Sequence, residues 1–282
     1  MQNSVRILIQ IIFSLMVFTT SAQALPIGHA IANDEVSFVD TTYDFSGIVR
    51  LKGCSGSLVR FEHSLDTDKA LVLTNGHCVK LINPGEIIYN QVTTKKFTIL
   101  ASDASDLGEV RAEKLLYATM TKTDVALYRL EKTYQQIRQL FATEALLLSP
   151  NVPELHEDVE VISGYWRRGY SCQLEAEIPE MVEGDWHWES SLRYSRPGCE
   201  VIGGTSGSPV VLFGTRTVVA INNTVNESGE NCTINNPCEV DVNGNVSSNL
   251  GFSYAQQTYW IYSCLADDRS IDLNTQGCML FQ

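Results

Sequence analysis

Positive charge is scarce in this chain: 20 Lys and Arg stand against 33 Asp and Glu, a formal net charge of −13. An acidic surface repels phosphate backbones and anionic lipid, so nucleic acid and anionic membranes are not expected partners. Long apolar runs are scarce too. The run Ile7 to Phe18 is too short to span a bilayer, which takes about 20 residues, and no later run is longer. It follows Arg6 and precedes the small-residue stretch Ala22-Gln23-Ala24, the pattern of a secretory signal peptide. Residues 1–24 are therefore expected to be removed, leaving a soluble protein with no integral membrane segment. Its destination is extracellular, or periplasmic if the cell is Gram-negative.

No cysteine pair has CxxC spacing, and no cysteine cluster has a second histidine nearby, so no metal site is expected. The glycine-rich segment around residue 204 is followed by no lysine, which argues against a phosphate-cradling loop. No cofactor is implied. Eight cysteines are present, all beyond the signal segment: Cys54, Cys78, Cys172, Cys199, Cys232, Cys238, Cys264 and Cys278. An even number on a secreted chain reads as disulfides, with the pairing left open.

Short β-rich runs recur between turn residues, among them SGSLVRF, ALVLTN, EIIYN, FTILAS, VALYRL, VEVISGY, SPVVLF and TVVAINN. Such spacing indicates an all-β sandwich or barrel. Two stretches break the rhythm. Tyr134 to Leu147 carries Ile137, Leu140, Phe141 and Ala145 at helix-like spacing, and Ala255 to Leu265 reads as a terminal helix.

Three segments carry chemistry. His77 lies in TNGHC after the apolar strand Ala70 to Leu73, where the small residue before it lets the ring project from a strand end. Asp124 opens DVALY, 47 residues later; a buried aspartate needs a hydrogen-bond donor, and a histidine ring nitrogen supplies one. Ser206 lies in GGTSGSPV, whose glycines allow a tight turn and let the amides of Gly204 and Ser206 form an oxyanion hole. A serine hydroxyl is a poor nucleophile until a histidine takes its proton and a carboxylate orients that histidine.

The order His, Asp, Ser is that of chymotrypsin-type enzymes, not of subtilisins or α/β-hydrolases. From about Ser46 to Tyr254 the chain resembles a trypsin-like serine endopeptidase of the bacterial glutamyl-endopeptidase and HtrA-like branches. The tail leaves no room for a PDZ domain, so a full HtrA-type protein is not expected. The resemblance implies two packed six-stranded antiparallel β-barrels with a short C-terminal helix. It divides the chain into an arm or propeptide at 25–45, a first barrel at 46–145, a second at 146–265, and a tail at 266–282. It also implies a protein or peptide substrate, catalysis by His77, Asp124 and Ser206, and a disulfide from Cys54 to Cys78 bracketing the histidine.

Departures from the pattern matter as well. Thr205 occupies the place where animal trypsins carry the aspartate that pairs with a freed N-terminus, so that zymogen switch is not expected. Glu200 falls six residues before Ser206, the offset of the trypsin pocket carboxylate, but Cys199 is displaced, and a solvated loop glutamate is the simpler reading. Asn222 and Asn223 lie on the strand along which the resembled enzymes bind substrate. Asn222 stands where glutamyl endopeptidases carry a histidine, so a glutamate-specific pocket is not supported.

The insertion Val225 to Ser248 contains Asp241-Val242-Asn243-Gly244-Asn245, which suggests calcium only weakly: the supporting acidic residue is missing and Asn-Gly is a hairpin signal. Trp186, His187 and Trp188 lie in a loop-like stretch, as a ligand platform or as barrel packing. A catalytically inactive homologue that binds a protein partner through the same cleft is the competing reading.

Overall fold

The computed structural model describes residues 43–282. The expected signal peptide and all but the last three residues of the expected arm lie outside the described residues. Among the described residues, no helix is long and apolar enough to cross a membrane.

The first half of the chain forms seven strands: β1 (Ile48–Leu51), β2 (Cys54–Arg60), β3 (Lys69–Thr74), β4 (Ile87–Val92), β5 (Lys96–Leu100), β6 (Asp106–Thr119) and β7 (Val125–Thr133). Six of them close a ring in the order β1, β5, β6, β7, β3, β2 and back to β1, with β4 paired to the C-terminal half of β6. Closure removes exposed strand edges. The interior is filled by residues such as Val49, Leu58, Val72, Phe97, Ala126 and Tyr128, each at most 2% exposed.

After α1 (Tyr134–Phe141) the chain continues through β8 (Leu146–Leu148), β9 (Asp158–Ser163), β10 (Arg168–Glu183), β11 (Trp186–Tyr194), β12 (Pro209–Leu212), β13 (Thr217–Val225), β14 (Cys238–Val240), β15 (Val246–Ser247) and β16 (Ser253–Gln257). A second closed ring runs β13, β12, β9, β10, β11, β16 and back to β13. The fold is all-β, two six-stranded antiparallel barrels. Between them β8 pairs in parallel with β2 on one side and β13 on the other.

The two expected helices are both shorter than their periodicity suggested. Thr133 caps α1 through a capping box with Gln136, and the helix ends at Ala142 in the left-handed region. Leu146–Leu148 then serve as strand, because the end of β2 runs past β1 and the start of β13 runs past β16, and β8 pairs with both. At the C-terminus the helix expected from Ala255 does not begin there, because Ser253–Gln257 is a strand. It closes the second barrel as β16, wholly buried, with the Gln256 and Gln257 amides bonded to Ser191 Oγ and the Ser190 carbonyl. Only Tyr259–Cys264 forms a helix, a short 3-10 one.

The stretch Trp186 to Trp188 is not a loop but the start of β11. Trp186 donates its indole N–H to the Ile82 carbonyl at 2.8 Å and Trp188 to the Met120 carbonyl at 3.0 Å. With Trp188 2% exposed, these rings pack the β10–β11 hairpin against the first half of the chain. The turn after β14 is the Asn-Gly hairpin, where Asp241 accepts from the Asn243 and Asn245 amides, each at 2.8 Å, and from Asn245 Nδ2. The four disulfides are Cys54–Cys78, Cys172–Cys199, Cys232–Cys238 and Cys264–Cys278.

Candidate active site

His77 leaves the end of β3 in a turn held against the start of β7. Asn75 Nδ2 donates to the Asp124 carbonyl at 2.7 Å. Gly76 passes so close to the end of β6 that a Cβ there would lie 2.0 Å from the Thr119 carbonyl oxygen, so only glycine fits. The Cys54–Cys78 bridge fixes the far side of the turn to β2.

Asp124, wholly buried, holds His77 at two points. Its Oδ1 accepts the His77 backbone N–H at 3.0 Å and its Oδ2 faces His77 Nδ1 at 2.6 Å. This places the donor proton on Nδ1 and leaves Nε2 as the basic nitrogen. Burial, the largest single influence, lowers the His77 pKa. The charge and hydrogen bond of Asp124, joined by the charge of Glu183, outweigh it, and the pKa is raised above its ordinary value.

Ser206 follows a tight turn from Ile202 to Thr205, closed by the Thr205 N–H donating to the Ile202 carbonyl at 3.0 Å. Gly204 takes the third position with φ +89°, while Gly203 does not have positive φ, which is a type II turn. The Ser206 carbonyl is held by the Ser55 N–H at 2.8 Å. Among the described residues, the amides of Gly204 and Ser206 donate to no protein acceptor. Ser206 Oγ donates to the Asn223 carbonyl at 3.2 Å rather than to the imidazole.

His77, Asp124 and Ser206 line one cleft. Asn222 and Asn223 line it too: each is 2% exposed, and Asn222 Oδ1 accepts from the buried Tyr194 hydroxyl at 3.2 Å. Glu200 is exposed and does not line it. The cleft's further carboxylates are instead Glu183, at the end of β10, and Glu227, in the insertion. Glu183 accepts from Thr224 Oγ1 at 2.6 Å and from the Asn235 amide at 2.9 Å, and burial raises its pKa. No motif in the sequence gives either residue a role, and their place depends on the length of the β10–β11 hairpin and the path of the insertion. Thr205 is wholly buried, with its hydroxyl unpartnered among the described residues.

No curated protein matches this sequence. Among solved structures, the MamO protease domain from Magnetospirillum magneticum is similar at 14% identity, covering 80% of this chain and 98% of that one with a TM-score of 0.47. A Glu endopeptidase in complex with MPD matches at 14% identity, 76% and 85% coverage and a TM-score of 0.43. Thermobifida fusca Protease A matches at 12% identity, 76% and 90% coverage and a TM-score of 0.41. A family model described as the trypsin-like peptidase domain matches residues 54–221, a span that contains His77, Asp124 and Ser206 and makes up more than half of the chain. The chain belongs to the trypsin-like peptidase family and is a serine-type peptidase.

Proposed function

We propose that this peptidase is a secreted serine endopeptidase in which His77, Asp124 and Ser206 form the catalytic triad. The observation that carries the reading is the double hold of Asp124 on His77, at 3.0 Å to the backbone and 2.6 Å to the ring. A structural histidine in a turn needs neither a buried carboxylate nor a fixed tautomer. Four disulfides support an oxidising compartment.

In the mechanism, Ser206 Oγ turns from the Asn223 carbonyl toward His77 Nε2 and attacks the scissile carbonyl carbon as Nε2 takes its proton. The carbonyl π electrons move onto oxygen, and the oxyanion accepts from the Gly204 and Ser206 amides. Asp124 stabilises the imidazolium. As the C–N bond breaks, Nε2 returns its proton to the leaving amine, which departs and leaves an ester on Ser206. Water, deprotonated by Nε2, attacks that ester; as the C–O bond to Ser206 breaks, Nε2 gives the proton to Ser206 Oγ, and the acid and free Ser206 are released.

The test is hydrolysis of an unfolded protein substrate by the purified mature chain, compared with Ser206→Ala and His77→Ala. Cleavage by the wild type that both substitutions reduce by about 10³-fold or more supports the triad. Equal cleavage by wild type and Ser206→Ala contradicts it. No cleavage by the folded, disulfide-intact wild type favours the partner-binding homologue.

A further inference from the structure

The turn that delivers Ser206 is held from outside by two neighbours. The Gly203 carbonyl accepts the indole N–H of Trp166 at 2.7 Å. The Gly204 carbonyl faces Ser55 Oγ at 3.4 Å, and the Ser206 carbonyl accepts the Ser55 N–H at 2.8 Å. Three carbonyls are thus directed to named donors, while the amides of Gly204 and Ser206 are left for a ligand.

The first of these contacts controls a choice the local sequence does not make. A peptide unit is planar, so fixing the Gly203 oxygen on one side turns the Gly204 N–H to the other. With glycine on both sides of the bond, the plane can rotate by a half-turn between type II and type I geometry at little steric cost. In the flipped form the Gly203 oxygen takes the place of the Gly204 N–H, and a developing oxyanion meets a negative dipole.

Trp166 is held in place against this peptide. It lies in the turn between β9 and β10, where its amide donates to Ser163 Oγ at 3.3 Å and the Tyr165 amide donates to Ser55 Oγ at 3.0 Å. Its ring meets Tyr165 edge-on, with centroids 4.9 Å apart. The two rings abut the Gly204 backbone so closely that a Cβ there would lie 2.7 Å from Tyr165 and 2.9 Å from the Trp166 nitrogen.

We infer that Trp166 is a positioning residue for the oxyanion site: its indole N–H holds the Gly203–Gly204 peptide so that the Gly204 amide faces the cleft. This rests on the reading of Ser206 as nucleophile. Trp166 touches no reacting atom and acts through Gly204.

The experiment replaces Trp166 in the full-length protein by Phe and, separately, by 3-benzothienylalanine, which keeps the shape of tryptophan and exchanges the N–H for sulfur. Folding of each is checked by thermal unfolding, and the isostere keeps the test valid if Phe does not fold. The expected result is a kcat lower by about 10- to 100-fold, below the full loss of an oxyanion donor. KM stays within about twofold, since the lost interaction belongs to the transition state. Affinity for a peptide boronate, whose tetrahedral adduct carries the oxyanion, falls by the same factor as kcat. Unchanged kcat and boronate affinity in the folded isostere overturn the inference, as does a raised KM with unchanged kcat. A wild type that is itself inert to substrate and boronate overturns the reading of Ser206, and this inference with it.

Discussion

The Asp124 carboxylate grips His77 twice, through Oδ1 to the backbone N–H at 3.0 Å and through Oδ2 to Nδ1 at 2.6 Å. The backbone contact fixes where the histidine sits, and the ring contact fixes its tautomer. Asp124→Asn keeps the size of the side chain but offers an amide that can donate to Nδ1, which places the imidazole proton on Nε2. The expected result is a folded protein whose kcat falls by about 10³- to 10⁴-fold. Steady-state kinetics with circular dichroism checks this; a loss of less than tenfold contradicts the assigned role.

Glu183 contributes to the same imidazole at longer range. Its negative charge raises the His77 pKa, so it stabilises the protonated ring. Catalysis needs the neutral ring, and activity therefore rises with pH through that pKa. Glu183→Gln removes the charge, lowers the His77 pKa and moves the acid limb of the kcat/KM profile to lower pH. An acid limb that stays in place shows that Glu183 is uncharged where His77 titrates.

Gly76→Ala tests the close approach that sets the histidine turn. A Cβ 2.0 Å from the Thr119 carbonyl cannot be accommodated without moving backbone. A loss of about 3 kcal/mol or more in chemical denaturation is expected, as for overpacking against a rigid neighbour. A cost below about 1 kcal/mol means that the turn is free to move away from Thr119.

Cys232–Cys238 closes a short loop, a separation of six residues. Chain entropy alone gives such a bridge about 2 kcal/mol. The loop also sets Ile234 in the cleft wall and delivers the Asn235 amide to Glu183. Replacing both cysteines by Ser is therefore expected to change KM for peptides more than kcat. Equal loss in both parameters, measured on folded protein, contradicts a role confined to the cleft wall.

The sequence displayed the parts whose chemistry is local. A histidine after a small residue, an aspartate opening an apolar strand and a serine among glycines are each written in a few contiguous residues. Much of the β content was equally plain. What escaped notice depends on distant partners. β10 is not among the strands expected from sequence: it contains Pro179, a residue that weakens a strand signal, and it is held by β9, β11 and β14 pairing along it. The expected terminal helix starts at Ala255 on the apolar spacing of Tyr259, Trp260, Ile261 and Leu265, yet Ala255–Gln257 belong to β16, which β11 and β13 enclose. Glu183 and Glu227 reach the cleft only through the hairpin and the insertion that carry them. Trp166 precedes Gly203 by 37 residues, and no local pattern connects a loop tryptophan to that carbonyl.

Activation of Ser206 as a nucleophile is read most directly by labelling the purified mature protein with a fluorophosphonate probe and locating the adduct by peptide mass mapping. A nucleophile activated by His77 gives one adduct, on Ser206, lost in Ser206→Ala and in His77→Ala. An adduct on another residue, or labelling of Ser206 that persists without His77, would contradict it.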